Sequence, residues 1–402
     1  MRPVKTRNTA LLAISLAATI AAANAAAVIA ADLSYPVVDT NQTTFYDNET
    51  EIDAPLEGEA FYGQDASYEG IQSSYTDNGD GTVTDDNTGL MWAQSAEQNL
   101  SYDEAVAGAE TYDLADYDDW RLPAIKELYS LMDFSGTDPI CGDDDSCEIE
   151  PFIDTDVFDF EYGDESAGER LVDVQYVSST VYAGDGDFVF GVNFADGRIK
   201  GYGLTLHGQD KEFDVLYVRG VEDYGVNDFS DNSDGTISDM ATGLTWTQTD
   251  NGEAILWEDA LTYCESLDTA EIDDWRLPNA KELQSLVDYT RSPDTTGSPA
   301  IDALFELTGI EVEDGTTDYP FLWSGTTHAT PSDGEAAAYV AFGESKGWSE
   351  IDGEYVLEDV HGAGAQRSDP KTGDAADYPY GDGPQGDVVR IENYAVCVTD
   401  TE

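Results

Sequence analysis

Asp118-Asp119-Trp120-Arg121-Leu122-Pro123-Ala124-Ile125-Lys126-Glu127-Leu128 returns later in the chain as Asp273-Asp274-Trp275-Arg276-Leu277-Pro278-Asn279-Ala280-Lys281-Glu282-Leu283. Working upstream, the run from Asp77 to Trp92 (Asp-Gly-Thr-Val-Thr-Asp, then Thr-Gly-Leu-Met-Trp) answers the run from Asp231 to Trp246. Downstream, Val177-Ser-Ser-Thr180 answers Trp323-Ser-Gly-Thr326, Val192-Asn-Phe194 answers Val340-Ala-Phe342, and Tyr217-Val-Arg-Gly220 is set against Tyr394-Ala-Val-Cys397. The order is kept throughout. A repeat this long makes each copy a whole domain and not a solenoid unit. The expected boundaries are 74–223 for copy one and 228–402 for copy two. Residues 32–73 precede them as an acidic linker or an added strand. Copy two carries a long surface-loop insertion over 347–387, whose stretch from Gly362 to Gly386 is rich in Gly, Asp, Pro and Ala.

Within a copy, Asp-Gly and Thr-Gly turns join short strands. Ser101-x-x-Glu104 is a capping box. It opens a helix that places Ala105, Val106, Ala109 and Tyr112 on one face, matched by Ala260, Leu261, Cys264 and Leu267. Pro123 and Pro278 sit where a first helical residue is expected, with Leu128, Leu131, Leu283 and Leu286 behind them. The fold class is α+β, two helices per copy packed on small antiparallel sheets.

Composition sets limits on function. The chain carries 84 Asp and Glu against 17 Lys and Arg, a formal charge of −67. Such a field repels nucleic acid and anionic lipid. It fits either a salty habitat, where carboxylates keep the surface hydrated, or carboxylates gathered around Ca²⁺. Apolar residues at 41% and aromatics at 11% are enough to build cores, which excludes a disordered acidic tail. Arg2, Lys5 and Arg7, an apolar run to about Ala23, and Ala23-Asn24-Ala25 read as a secretory signal peptide over 1–25, with a membrane anchor as the alternative. No later stretch has the length and apolarity to span a membrane, so no membrane insertion is expected after signal cleavage.

Four cysteines in an exported chain favour disulfides. Cys264 in the first helix of copy two and Cys397 near its end are matched in copy one by Ala109 and Gly220. Both are lost together, which pairs Cys264 with Cys397 and leaves Cys141–Cys147 as a local clasp. Asp77, Asp80 and Asp85, with Asp231, Asp234 and Asp239, offer oxygen ligands at short spacing around glycine. A solvated hairpin turn is the leading reading and a Ca²⁺ site the sharper alternative, with no EF-hand glutamate following. A second acidic loop spans Gly142–Cys147. His207, His328 and His361 lack zinc-ligand spacing. The hydroxyls of Ser178, Ser179, Thr180 and Ser324–Thr327 lack a nucleophile elbow, and no phosphate loop or dinucleotide fingerprint is present. Trp120, Arg121 and Pro123, with Trp275, Arg276 and Pro278, read as core architecture built around an internal ion pair, against a ligand-binding role.

The ordered series from Asp-Gly-Thr-Val-Thr-Asp through Ala-x-x-Tyr-Cys, Asp-Asp-Trp-Arg-Leu-Pro-x-x-Lys-Glu-Leu and Trp-Ser-x-Thr to the closing Tyr-x-x-Cys-Val resembles the Legionella collagen-like protein C-terminal domain family. The resemblance covers both copies. It implies a C-type-lectin-like fold of the formylglycine-generating-enzyme kind, and an exported, surface-associated, adhesin-like module. The namesake's binding of sulfated polyanions and the formylglycine-generating chemistry are not implied, because the charge and the cysteine placement depart from both. The expected function is therefore non-catalytic binding of a glycan or a surface protein. Trp348, Tyr355, Tyr378 and Tyr380 of the insertion supply the contact faces. The alternatives are a glycan-acting enzyme with paired carboxylates and a structural subunit of an envelope assembly.

Overall fold

The computed structural model describes residues 33–141, 148–184, 188–206, 208–351, 353–383 and 385–401. The signal segment, the acidic loop with Cys147, and His207 lie outside them. Among the described residues no helix is long and apolar enough to cross a membrane.

Each copy opens with a hairpin whose turns the sequence dictates. Thr82–Asp85 pairs with Leu90–Ala93, and Thr236–Asp239 with Leu244–Thr247. The last strand of each copy returns to that hairpin, Val218–Gly220 in copy one and Val398–Asp400 in copy two. Helices α1 (Tyr102–Ala109) and α2 (Ile125–Ser130) belong to copy one, α3 (Trp257–Glu265) and α4 (Ala280–Ser285) to copy two. Strands β1 (Glu97–Ser101), β2 (Tyr176–Val181), β3 (Phe188–Asn193), β4 (Arg198–Gly203), β5 (Glu212–Val215), β6 (Phe321–His328), β7 (Ala336–Ala341) and β8 (Gln366–Pro370) form one central sheet in the order β6-β7-β8-β4-β3-β2-β5-β1. All neighbours are antiparallel except β5 and β2.

That sheet crosses from one copy to the other where β8 meets β4, with Gln366 opposite Ile199. The two residues are equivalent, since Val192 pairs with Ile199 and Val340 pairs with Gln366. The pairing thus lies on an approximate two-fold axis. Both residues are fully buried, and a single hydrophobic core draws side chains from both copies, including Trp92, Phe190, Trp246 and Val340. β7 reads Ala-Ala-Ala-Tyr-Val-Ala, a continuous apolar run, because both of its faces are covered. The α+β class holds, with strands dominant. The two copies share the central sheet and the largest core, and each keeps a smaller sheet and a smaller core cluster of its own.

The repeated motif explains itself residue by residue. Trp120 and Trp275 are buried, their indoles donating to the Leu114 and Thr269 carbonyls. Arg121 forks onto Glu127 with two 2.6 Å bonds, and Arg276 onto Glu282 likewise. Each glutamate also accepts from the N-cap amide of its helix, Ala124 or Asn279. The threonine of the Ser-x-Thr motif takes the first helical amide, Ile125 N–H to Thr180 Oγ1 at 3.0 Å and Ala280 N–H to Thr326 Oγ1 at 2.9 Å. Satisfying such orphan donors contributes about 1 kcal/mol each. The helices start at Ile125 and Ala280, later than Pro123 and Pro278 suggested, because these caps hold residues 124 and 279 extended. The prolines lie one residue before the caps. Their carbonyls accept from Ser179 and Gly325.

The lysines of the motif cross between copies. Lys126 Nζ donates to the Ser285 carbonyl of α4 at 2.8 Å, and Lys281 Nζ to the Ser130 carbonyl of α2 at 3.0 Å. Lys281 also holds the Asp39 carbonyl at 2.9 Å, which ties residues 33–73 into the same seam. This segment is a strap over copy two. Asp65 is buried and accepts from Thr40 and Thr326, Gln42 exchanges hydrogen bonds with the Thr327 backbone, Phe61 stacks on Trp257, and the Tyr68 ring lies over Arg276. Gly325 permits the approach, since a Cβ there would stand 3.2 Å from the Asp65 nitrogen; copy one has Ser179 at the equivalent place and no strap.

The helix-to-last-strand junction is built differently in the two halves. Cys264 and Cys397 form a disulfide, Cα atoms 5.5 Å apart, both fully buried. Copy one aligns three residues away from the sequence pairing. Arg121 bridges Val218 and Arg276 bridges Val398, so Tyr217, not Gly220, stands where Cys397 does. Tyr217 reaches α1 with its hydroxyl, donating to the Ala105 carbonyl at 2.8 Å, and packs on Tyr112. Gly108 leaves the room, because a Cβ there would meet that hydroxyl at 2.4 Å. On the same helix Ala105 is buried but Val106 is 46% exposed, so the expected apolar face is narrower than its spacing implied. No described cysteine is free. Tyr217→Phe is expected to cost about 1 kcal/mol. Cys264→Ala with Cys397→Ala should cost more, up to about 4–5 kcal/mol by loop closure. Denaturant unfolding of the two variants checks this, and a costlier tyrosine change would contradict it.

Candidate ligand groove

The insertion of copy two is ordered structure and not one loop. Its first part is a hairpin, Lys346–Ile351 paired with Glu354–Asp359, and it then supplies β8 to the central sheet before Ala375–Asp377 forms a short turn of 3₁₀ helix. Only the remainder is irregular. Periodicity missed β8 because Gln366-Arg-Ser-Asp-Pro is polar, and its burial comes from the seam.

Between hairpin, turn and the Val388–Tyr394 return runs an open groove of about 470 Å³. Phe321, Trp348, Tyr378 and Tyr394 give it aromatic walls, and Glu311, Glu313 and Glu392 are exposed at its rim. Arg390 lies against Phe321, its guanidinium carbon 3.8 Å from the ring centroid, and donates to Glu313 at 3.0 and 3.4 Å. Asn393 is 1% exposed; its amide nitrogen donates to Asp369, while its Oδ1 has no partner. Outside the groove mouth Tyr355 and Tyr380 stack at 3.8 Å, and Trp348 meets Tyr380 edge-on at 6.1 Å. Tyr355 is 46% and Tyr380 50% exposed. The four aromatics named from sequence therefore fall together, Trp348 and Tyr378 in the groove, Tyr355 and Tyr380 beside it. Phe321, Arg390, Asn393 and Tyr394 were not legible as partners, because they come from β6 and the C-terminal return.

The six aspartates of the hairpin turns accept hydrogen bonds in and beside those turns. Asp77 and Asp231 accept from the amides of Gly79 and Ser233, and Asp80 and Asp234 each accept both amide and hydroxyl of a threonine. Asp85 and Asp239 are buried and close the following turns, Asp239 taking Asp228, Ala241 and Thr242. Apart from the reach of Asp239 to Asn227 and Asp228, each serves its own turn, the local bonding by which Asp favours such positions. Among the described residues no group of three or more His, Cys, Asp or Glu is placed to hold a metal ion. His328 and His361 are both 2% exposed, His361 paired with Asp387. Ser178 and Ser324 donate to strand carbonyls.

Fold and groove together define a tandem α+β repeat protein with one elaborated copy. Residues 81–219 and 235–357 match the Lcl C-terminal domain, and the chain belongs to that family, with two copies in tandem. Comparison with curated proteins and with solved structures finds no match.

Burial sets the pH response. It pushes the carboxyl of Asp65 up to about 7 and those of Asp214, Asp318, Asp359 and Asp369 up to about 6. In Asp387 burial acts in the same direction but is outweighed by Arg367 and His361, which hold it low. The five raised groups keep protons that the unfolded chain has lost. Their contribution is fully present below about pH 4 and is lost as pH rises through about 6 to 7. Asp387 works the opposite way, its contribution present above about pH 4 and lost as pH falls further. His328 and His361, which burial holds neutral, oppose the five carboxyls as pH falls below about 6.5. Calorimetry at fixed ionic strength should give a higher melting temperature near pH 5 than near pH 8. A flat or inverted profile would contradict the burial of these groups.

Proposed function

We propose that the protein is an exported, non-catalytic binding module whose ligand contacts lie in the copy-two groove. The observation carrying this reading is the asymmetry of the repeat. Copy one adds a hairpin of two-residue strands, Thr205–Leu206 with Gln209–Asp210, whereas copy two adds a longer hairpin and a turn whose aromatic side chains line a groove and stay half-exposed beside it. Unburied aromatics are costly to keep in water unless a partner covers them. Membership of the family supports export, as does the basic, then apolar, then small-residue start of the chain. The C-type-lectin-like relation is supported by the return of each last strand to its first hairpin and by the helix-to-last-strand disulfide. A non-catalytic role is supported by what the buried carboxyls touch. Asp65 is tied to threonines, Asp369 to Asn393 and the Arg390 amide, and Asp359 to Tyr182 and the Gly362 amide, all bonds that hold strap, strand and hairpin in place.

Trp348→Ala with Tyr378→Ala removes two groove walls without touching the shared core. On glycan and protein arrays the mature chain should bind a ligand that this variant fails to bind, with the melting temperature kept within a few degrees. Equal binding by both proteins would place the contact surface elsewhere.

A further inference from the structure

The distribution of positive charge says what the groove can hold. Every Lys and Arg among the described residues has a hydrogen-bond or ion-pair partner within the chain. Several are buried outright, among them Lys281, Arg367 and Lys371. The cations hold the interior, and the exterior field is that of the carboxylates. At the groove, no described residue forms an ion pair with Glu311 or Glu392, and Arg390 is neutralised by Glu313 and pressed on Phe321. Asn393, buried behind the groove, has an Oδ1 without a partner. The unpaired charge at the groove is therefore negative. Trp348, Tyr378 and Tyr394 add ring faces, which attract ammonium and guanidinium groups as well as apolar stems.

Resting on the reading of this groove as the binding site, we propose that its ligand is an extended basic segment of a partner protein, with Lys or Arg side chains set between the aromatic walls and the Glu311, Glu313 and Glu392 carboxylates. An anionic glycan is repelled by the same rim. A neutral glycan would leave the charge of the rim carboxylates unmatched. Long-range attraction speeds the encounter, and the walls select the segment.

Fluorescence anisotropy of the mature chain with a short peptide of alternating arginine and serine tests this, beside the glutamate-for-arginine peptide and a neutral oligosaccharide. Glu311→Gln with Glu392→Gln alters exposed rim groups only, so folding is kept and is checked by melting. The control, Asp103→Asn with Glu110→Gln, removes the same charge from copy one. We expect the basic peptide to bind, with affinity lowered at least about tenfold by the rim pair and less than about twofold by the control pair. Equal weakening by both pairs would overturn the proposal, since attraction would then come from the overall field. Binding of the neutral oligosaccharide, abolished by the Trp348 and Tyr378 changes and untouched by the basic peptide, would overturn the ligand class and leave the groove as the site.

Discussion

Two ammonium groups, Lys281 buried and Lys126 half-buried, each closing the end of the other copy's helix, are the constraint on which this structure turns. Lys126 and Lys281 occupy equivalent places in the repeated motif, yet neither bonds to its own helix end. The carbonyls they meet lie at helix C-termini, where partial negative charge gathers. Burial pushes both lysines down to about 8, so desolvation opposes the arrangement and the carbonyl partners, with the Asn227 side chain on Lys126, offset it. A repeat folded alone would leave one lysine and one helix end buried without partners, or would turn both out to water. Joining the copies resolves the two problems at once, and the strand pairing at Ile199 and Gln366 follows on the same axis.

From that seam the rest of the molecule takes its division of labour. The strap over 33–73 enters at Asp39 beside Lys281 and covers copy two. Further along the central sheet, Arg198 and Lys200 of β4 and Arg367 of β8 pair with Asp138, Asp196 and Asp387, so charge inside the fold is balanced while the surface stays acidic. A chain this negative gains little from its few cations on the outside; their use is in joining elements that carboxylates alone would push apart. Copy one then adds a hairpin of two-residue strands. Copy two, clamped by strap, seam and disulfide, carries the hairpin and groove on a rigid base, the condition under which exposed aromatics keep a defined geometry.

How much of this could be read from residues depends on whether the cause was local. The Ser101 and Glu104 capping box, the Asp-Gly hairpins and the Arg-to-Glu pairing within the motif are decided by neighbours in sequence, and the structure has them where the spacing put them. The pairing of Cys264 with Cys397 was legible because two copies could be compared. The register of copy one's last strand was not. Tyr217 and Tyr394 look alike in sequence, but backbone pairing to Arg121 and Arg276 sets the match three residues away. The merging of two domains into one sheet, the path of the strap and the role of polar β8 all depend on contacts between distant segments, which no periodicity records. Likewise the four insertion aromatics could be named from sequence, while the groove floor at Phe321, Arg390 and Asn393 needed the fold.

The reciprocal lysine contacts are tested most directly by amide hydrogen exchange of the wild-type chain and of Lys281→Ala. Lys281 belongs to copy two but closes α2 of copy one, so exchange should rise at the Ser130 end of α2 and in the Asp39 region of the strap, with smaller change around α4. Protection lost only within copy two, with α2 as slow as in the wild type, would contradict the claim that each copy completes the other.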